Sequence, residues 1–278
     1  GDRCNTITGV SISEDANRVR VWGRLEDLMT KKYPENYQQV HFMSQEDTQD
    51  GRTNLRLIGD PVFNNQNPGD ILSLDNQRQI ATYFTGERKA VFITGDGGAP
   101  HDVDTESEIH HSRLIFAEIL LALRCQKPGG NFILKLFDIT TGLTLNLITI
   151  LSHFYERVHL YKPKTSRLAS SEKYIICMYF MPRDALEAVI PTMEKILENW
   201  NDETDGAQLV SLFLNTPRIT TAIKEYNEIF MQKQTQFIRT GIEYAAKYNT
   251  MNDRELESYI RQTLKIQLQG SCEPFLIR

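Results

Sequence analysis

Cysteine is scarce in this chain, and its four copies lie far apart. They form neither a CxxC pair nor a spacing suited to zinc, and they are Cys4, Cys125, Cys177 and Cys272. We therefore predict no disulfide framework, no bound metal, and a reducing intracellular environment.

Long apolar runs and excess positive charge are also missing. No uninterrupted apolar run approaches the roughly 18 residues of a spanning helix, and the N-terminus lacks a signal-peptide pattern, which predicts a soluble intracellular protein without a membrane partner. The net charge of -5 excludes nucleic-acid binding through overall charge, so any RNA contact must use a local basic patch.

The N-terminal part has weaker patterns than the rest. TITGVSI at residues 6–12 and VHFM at residues 40–43 predict short strands, with helical spacing at residues 21–28 between them. Residues 44–70 are rich in Asn, Gln, Asp, Gly and Pro, which predicts a loop, with a possible strand at residues 55–58.

From residue 89 onwards, strand patterns alternate with helical ones. The predicted strands are residues 89–94, 131–138, 158–161 and 174–180, and the predicted helices are residues 106–125 and 143–154. This alternation predicts a mostly parallel sheet covered on both faces, whose first strand is buried. The last two strands are too close for a crossover helix, so they should pair antiparallel.

After Pro182 only helical periodicity remains, over residues 183–199, 208–214, 218–248 and 253–267. The predicted architecture is an α/β domain at residues 1–182 followed by a helical C-terminal extension at residues 183–278. We expect the extension to pack on the sheet or on itself.

Three polar residues should meet where strands of this sheet end. Lys135 interrupts the apolar strand NFILKLFD, and burying an ammonium is costly unless it is paired. Asp96 directly follows the strand KAVFIT, and Glu172 immediately precedes the last strand. Because ligands collect at the carboxyl ends of strands in such sheets, this set predicts a site. The alternative is that Lys135 is a lysine at the end of its strand that simply reaches solvent.

These segments resemble a known enzyme family. Asp96 in its glycine-rich loop, GGNFILKLFD with Lys135, and LYKPKTSRLASSEKY with Glu172 are similar to the later three members of the Lys-Asp-Lys-Glu tetrad of FtsJ-like ribose 2'-O-methyltransferases. The closest resemblance is to the messenger-RNA cap enzymes of eukaryotes and large cytoplasmic DNA viruses. It implies a Rossmann-like methyltransferase sheet and assigns catalysis to Asp96, Lys135 and Glu172.

The resemblance also implies S-adenosyl-L-methionine as cofactor. An acidic residue should accept a hydrogen bond from its adenine amino group, and Asp70 in GDI and Asp60 in IGD are rival candidates. Asp96 and Gly97 should face the methionine part of the cofactor.

The expected chemistry suits these residue types. A ribose 2'-hydroxyl is a poor nucleophile at neutral pH, so attack on the methyl group needs proton removal or stabilisation of the developing charge. A lysine whose pKa is lowered by burial could do either, while Asp96 and Glu172 orient it.

A basic loop follows the strand at residues 158–161. Lys162, Lys164, Ser166 and Arg167 are predicted to contact RNA phosphates, and the alternative is an ordinary solvated loop. His110 and His111 receive no role, since no partner with metal-ligand spacing accompanies them.

Two elements of the family have no counterpart in the sequence. The glycine-rich cofactor loop and the first lysine of the tetrad should both precede Thr6, so we expect either a C-terminal part of a longer protein or a degenerate relative.

Three functional hypotheses follow. The first is an S-adenosylmethionine-dependent 2'-O-methyltransferase acting on capped mRNA, with capping-machinery proteins as partners. The second is an inactive, RNA-binding or scaffolding subunit of a capping complex, and the third moves the same reaction to ribosomal or transfer RNA. The first places the protein in the nucleus or cytoplasm, or in a viral factory or virion if the source is a virus.

Overall fold

The computed structural model describes residues 7–10, 40–43, 70–98, 107–164, 166–200, 217–248, 251–270 and 274–277. The chain divides into two compact units, Gly1–Arg88 and Lys89–Arg278. The helices predicted at residues 21–28 and 208–214 and the strand at residues 55–58 lie outside the described residues. The proposed division at residue 182 remains a prediction.

In the first unit, two short strands pair in parallel. They are β1 (Ile7–Val10) and β2 (Val40–Met43), within the two segments that the sequence predicted. Helix α1 (Leu74–Tyr83) follows, and Ser73 caps it by accepting a hydrogen bond from the Asn76 amide. A turn of 3-10 helix at Gly86–Arg88 ends the unit.

The second unit contains a five-stranded sheet in the order β3-β4-β6-β5-β7. Its strands are β3 (Ala90–Gly95), β4 (Gln126–Leu136), β5 (Tyr155–Tyr161), β6 (Lys173–Phe180) and β7 (Phe275–Leu276). β3 and β4 pair in parallel, and β6 is antiparallel to both β4 and β5. This confirms the α/β class and the antiparallel last strand of the predicted sheet.

Two details of the sheet differ from expectation. Among the described strands β3 stands at one end of the order and Phe92 is 55% exposed, whereas its apolar sequence predicted a buried strand. β7 comes from the C-terminal region and pairs with β5, whereas only helices were predicted after Pro182. Two residues are too short a run to produce a strand pattern in the sequence.

Helices α2 (Ser107–Cys125) and α3 (Gly142–Phe154) provide most of the core against the sheet. Phe116, Leu120 and Leu123 of α2 are fully buried, as the apolar stripe along this helix requires. Thr141 caps α3, and the Glu108 carboxylate accepts hydrogen bonds from the Thr141 amide and hydroxyl. The loop after β4 is thereby fixed to the start of α2.

The C-terminal region forms helices α4 (Leu186–Glu198), α5 (Pro217–Lys247) and α6 (Asp253–Gly270). An ion pair between Arg124 and Glu194 joins α2 to α4. No helix in the described part of the chain combines the length and apolar character needed to cross a membrane.

Candidate functional site

β3 ends at Gly95, and the loop Asp96-Gly97-Gly98 that follows forms one side of the candidate site. A Cβ at Gly95 would lie 2.8 Å from Leu134 Cδ1, and one at Gly97 would lie 2.8 Å from Leu114 Cδ2. Both distances are too short for carbon atoms, so a larger residue at either position would displace a packed leucine. The Asp96 side chain between them is 68% exposed, which leaves its carboxylate accessible to a ligand.

Lys135 lies one residue before the end of β4. Leu134 and Leu136 are buried, whereas the Lys135 side chain is 15% exposed, because successive side chains of a strand point to opposite faces. The parallel register places Gly95 beside Leu134, so the ends of β3 and β4 meet. As a result, Lys135 Nζ lies 3.0 Å from Asp96 Oδ1 and donates a 3.2 Å hydrogen bond to the Asp96 carbonyl oxygen.

Tyr174 lies next to Lys135 in the sheet and is hydrogen-bonded to Glu172. It stands directly opposite Lys135 in the antiparallel pairing of β4 and β6, so both side chains lie on one face. The Tyr174 hydroxyl donates a 3.2 Å hydrogen bond to Glu172 Oε1. Burial, together with the negative charges of Glu172 and Asp96, raises the pKa of Tyr174 to about 12, so the hydroxyl keeps its proton at neutral pH.

The three residues predicted to be catalytic are thus arranged unequally. Asp96 and Lys135 are in direct contact, whereas Glu172 is hydrogen-bonded to Tyr174, which stands opposite Lys135 in the strand pairing. Among the described side chains, Glu172 and Lys135 form no ion pair. Tyr174 was not among the residues predicted from the sequence, although its position opposite Lys135 follows once β4 and β6 are paired.

A second residue missed from the sequence is Glu118, which lies beneath the glycine loop. Its Oε1 accepts a 2.9 Å hydrogen bond from the Gly97 amide. Burial raises the pKa of Glu118 to about 7, in the same direction as the Asp96 charge, while the Gly97 hydrogen bond and the Lys135 charge act against it. A single acid in the apolar run LIFAEILLALRC was the available signal.

Replacing Glu118 with glutamine is expected to change how stability depends on pH. Because its folded pKa is raised, the folded state binds this proton more tightly than the unfolded state does. The stabilisation is complete below the ordinary pKa of 4.5 and is lost as the pH rises through about 7. The free energy of unfolding of Glu118→Gln, relative to wild type, should therefore increase by about 1–3 kcal/mol between about pH 5 and about pH 8.

Urea denaturation of both proteins at the two pH values measures this difference. Glu187→Gln on α4 is the matched control, because Glu187 is exposed and should show no such change. If the free energies of unfolding of Glu118→Gln and wild type differed by the same amount at both pH values, the raised pKa assigned to Glu118 would be contradicted.

The structure corrects the prediction for one residue of the predicted RNA-contacting loop. The Lys162 side chain is 0% exposed, and its ammonium donates hydrogen bonds to the carbonyl oxygens of Ser170 and Glu172. Burial with backbone acceptors makes it a structural residue and not an RNA contact. Lys164 and Arg167 are exposed, and the partly buried Ser166 lies with its hydroxyl 3.5 Å from Glu172 Oε1, so these three stay predictions.

The candidates for adenine recognition belong to the first unit. Asp70 accepts a 2.9 Å hydrogen bond from the Leu72 amide in the turn that leads into α1. Asp60 lies outside the described residues. His111 is buried, and its ring lies 4.4 Å from that of Phe137, as expected of a packing residue. No cluster of three or more metal-binding side chains occurs in the part of the chain that the structure describes.

Comparison with known proteins places these features in a family. The sequence profile of the FtsJ-like methyltransferases matches residues 26–180, more than half of the chain. A cap-specific mRNA (nucleoside-2'-O-)-methyltransferase 1 of Trypanosoma cruzi is 35% identical over 122 residues, covering 44% of this chain and 34% of the relative. A probable methyltransferase of African swine fever virus is 28% identical over 204 residues, covering 72% of this chain and 46% of the relative.

A mammalian relative shows the same pattern. The cap-specific mRNA (nucleoside-2'-O-)-methyltransferase 2 of Pongo abelii is 30% identical over 153 residues, covering 53% of this chain and 20% of the relative. The chain spans less than half the length of these three relatives. The matched segment contains Asp96, Lys135 and Glu172, and the family predicted from their pattern is confirmed. The chain belongs to the FtsJ-like methyltransferase family.

Proposed function

We propose that this protein transfers a methyl group from S-adenosyl-L-methionine to a ribose 2'-hydroxyl of capped mRNA. The observation that carries the proposal is the direct contact of Lys135 with Asp96 at the ends of β3 and β4. Glu172 is hydrogen-bonded to Tyr174, whose side chain lies on the same face of the sheet as Lys135. A lysine paired with an acidic group where two strands end is suited to act on a hydroxyl nucleophile.

Lys135 is the group that meets the acceptor in this proposal. As a neutral amine, its Nζ takes the proton of the 2'-hydroxyl. As an ammonium, it donates a hydrogen bond that stabilises the developing oxyanion, and the hydroxyl proton passes to water. Asp96 restricts where that ammonium can lie, because it accepts contacts at both its carboxylate and its carbonyl oxygen. Glu172 and Tyr174 add a second fixed hydrogen-bonded pair on the same face.

The glycine loop fits the positively charged end of the cofactor. S-adenosylmethionine has an ammonium and a sulfonium, and Asp96 offers an accessible carboxylate for the former. A Cβ at Gly98 would extend to 3.9 Å from Lys135 Nζ, so a side chain here would narrow the space beside the lysine. When bound, the cofactor supplies the electrophilic methyl group, and Asp96 and Gly97 are the described residues of the second unit proposed to hold its methionine part.

RNA contact is assigned to the exposed part of the basic loop. Lys164 and Arg167 are exposed, and Ser166 lies close to Glu172, so a phosphate bound by this loop would lie near the proposed acceptor site. The net charge of -5 makes such a local patch necessary.

Capped mRNA is proposed as the substrate because the Trypanosoma and Pongo relatives are named for it. This substrate would place the protein where transcripts are capped, in the nucleus or cytoplasm, or in a viral factory or virion for a viral source. Proteins of the capping machinery are the partners that this role implies.

The decisive experiment incubates the full-length protein with labelled S-adenosylmethionine and matched transcripts that differ only in the cap. We expect label in 2'-O-methylated nucleotides of the capped transcript, and at least about 10-fold less in the uncapped one, as for a site built around a required contact. Nuclease digestion and mass spectrometry identify the modified nucleotide.

Two other outcomes would contradict the proposal and favour a different function. Equal labelling of both transcripts would remove the cap from the substrate definition and favour structured ribosomal or transfer RNA. No transfer, together with no binding of S-adenosylhomocysteine by calorimetry, would instead favour a non-catalytic, RNA-binding or scaffolding subunit.

A further inference from the structure

Helix α5 presents a stripe of three side chains to the loops beside the candidate site. Asn227, Phe230 and Gln234 are spaced three and four residues apart, so they lie on one face of the helix. The Asn227 amide donates a 2.8 Å hydrogen bond to the carbonyl oxygen of Ile139, in the loop after β4. The Gln234 amide donates a 2.9 Å hydrogen bond to the carbonyl oxygen of Ala169, in the loop before β6.

Phe230, between the two amides, packs against two buried lysines. Its ring centroid lies 4.6 Å from Lys173 Nζ and 5.7 Å from Lys162 Nζ, within the range of a cation–π contact. Lys173 is 1% exposed, and burial lowers its pKa to about 8, against the effects of the Asp138 and Glu108 charges. An aromatic face offers an ammonium in this position an electrostatic contact that an aliphatic side chain does not.

Lys162 and Lys173 connect Phe230 to the chain segments that contain Glu172 and Lys135. Lys162 donates hydrogen bonds to the carbonyl oxygens of Ser170 and Glu172, which fixes the backbone at Glu172 itself. Lys173 donates a 2.6 Å hydrogen bond to the carbonyl oxygen of Phe137, two residues after Lys135. In each case the ammonium bridges the helix ring and a strand end.

The strand pairing also separates Phe230 and Lys173 from Lys135 and the acceptor proposed to bind there. Lys173 is opposite Leu136 in the pairing of β4 and β6, whereas Tyr174 is opposite Lys135. Alternation along a strand therefore places Lys173 on one face of the sheet and the Lys135–Tyr174 pair on the other. Phe230 cannot touch an acceptor bound at Lys135, and any effect on the reaction must pass through the strand ends.

We propose that α5 is a positioning element of the candidate site, in which Phe230 holds Lys162 and Lys173 so that these lysines fix the Glu172 backbone and the segment after Lys135. The inference rests on the proposed methyltransferase function, and it assigns the C-terminal region a direct part in that function. Phe230 is a positioning residue in this arrangement, since it acts through the two lysines.

The test substitutes Phe230 in the full-length protein. Phe230→Leu keeps an apolar side chain but removes the aromatic face, and Phe230→Tyr keeps the face. We expect Phe230→Leu to lower kcat for capped RNA by about 10-fold or more, with the Kd for S-adenosylhomocysteine changed by less than about 2-fold. Phe230→Tyr should retain kcat within about 3-fold of wild type.

Hydrogen–deuterium exchange supplies a readout that does not depend on activity. In Phe230→Leu, the amides of residues 166–173 should exchange faster, while those of α2 remain as protected as in wild type. A folded Phe230→Leu with wild-type kcat and wild-type exchange at residues 166–173 would overturn the proposal, as would equal losses of kcat in the leucine and tyrosine variants.

A second variant decides the matter if Phe230→Leu fails to fold. Gln234 is partly exposed, so Gln234→Ala removes one tether of α5 without opening the core. Faster exchange at residues 166–173 in Gln234→Ala supports the proposal, and unchanged exchange overturns it. A wild-type protein that transfers no methyl group at all would instead count against the proposed function, and exchange would still decide whether α5 holds this segment.

Discussion

Replacing Lys135 with methionine is expected to lower kcat for methyl transfer by about 100- to 10,000-fold, the range associated with removing a general base or an oxyanion-stabilising group. Methionine keeps most of the aliphatic length but has no ammonium, so it cannot interact with Asp96 as lysine does, while the strand remains packed. Single-turnover assays with capped RNA measure the rate, and calorimetry with S-adenosylhomocysteine measures cofactor binding.

Lys195→Met is the matched control for this experiment. Lys195 is an exposed lysine on α4, and its replacement should leave kcat within about 2-fold of wild type. A Lys135→Met protein that folds, binds cofactor and retains more than about one tenth of the wild-type rate would show that Lys135 is not the group acting on the hydroxyl.

Replacing Asp96 with asparagine should produce the second large effect, on both cofactor affinity and rate. The substitution preserves shape but removes the negative charge that faces Lys135 and is proposed to bind the cofactor ammonium. Without this charge-assisted hydrogen bond, we expect binding of S-adenosylhomocysteine to weaken about 10-fold or more and kcat/KM to fall about 100-fold or more.

The same substitution should hardly change stability. Asp96 is 68% exposed and Lys135 is 15% exposed. After the substitution the asparagine side-chain oxygen and the main-chain carbonyl oxygen can still accept hydrogen bonds from Lys135, so losing the ion pair should cost about 1 kcal/mol or less. The melting temperature of Asp96→Asn should therefore stay close to that of wild type and of the control Asp184→Asn, an exposed position before α4. Unchanged cofactor affinity and kcat/KM in Asp96→Asn would reject the assigned role.

The small contribution of the Asp96–Lys135 ion pair to folding stability helps to define the role of Asp96. An exposed acid adds little to the fold by holding Lys135, yet the acid lies between Gly95 and Gly97, where a larger residue would displace Leu134 or Leu114. The backbone on both sides of Asp96 is therefore closely packed, while the charge of Asp96 contributes little to folding. That combination favours a role in binding or chemistry for Asp96.

Much of the fold could be predicted because its elements have strong local patterns. The apolar strands around residues 131–138 and 174–180 and the long helices α2 and α3 were found from periodicity, and the short spacing between β5 and β6 fixed their antiparallel pairing. The exposure of β3 was not predicted, because an apolar run does not reveal whether its strand stands at the end of the sheet.

The site could be predicted in part for a related reason. Asp96, Lys135 and Glu172 are polar residues at strand ends, a position that sequence can identify. Tyr174 and Glu118 act through contacts between separate elements, which depend on register and packing. These contacts leave no periodic signal in the sequence.

Lys162 shows the limit of charge patterns. In sequence it belongs to the basic run at residues 162–167, which is typical of a solvated, phosphate-binding loop. In the structure, two carbonyl oxygens and the Phe230 ring, which is distant in sequence, surround its ammonium. A buried lysine with backbone acceptors cannot be told from an exposed one until the long-range partner is known.

The most direct test of the catalytic assignment is a structure of the full-length protein bound to S-adenosylhomocysteine and a capped RNA oligonucleotide. We predict that the acceptor 2'-oxygen lies within hydrogen-bond reach of Lys135 Nζ, about 2.6–3.2 Å, with Asp96 still in contact with the same ammonium. An acceptor oxygen more than about 6 Å from Lys135, with a different side chain against it, would contradict the assignment.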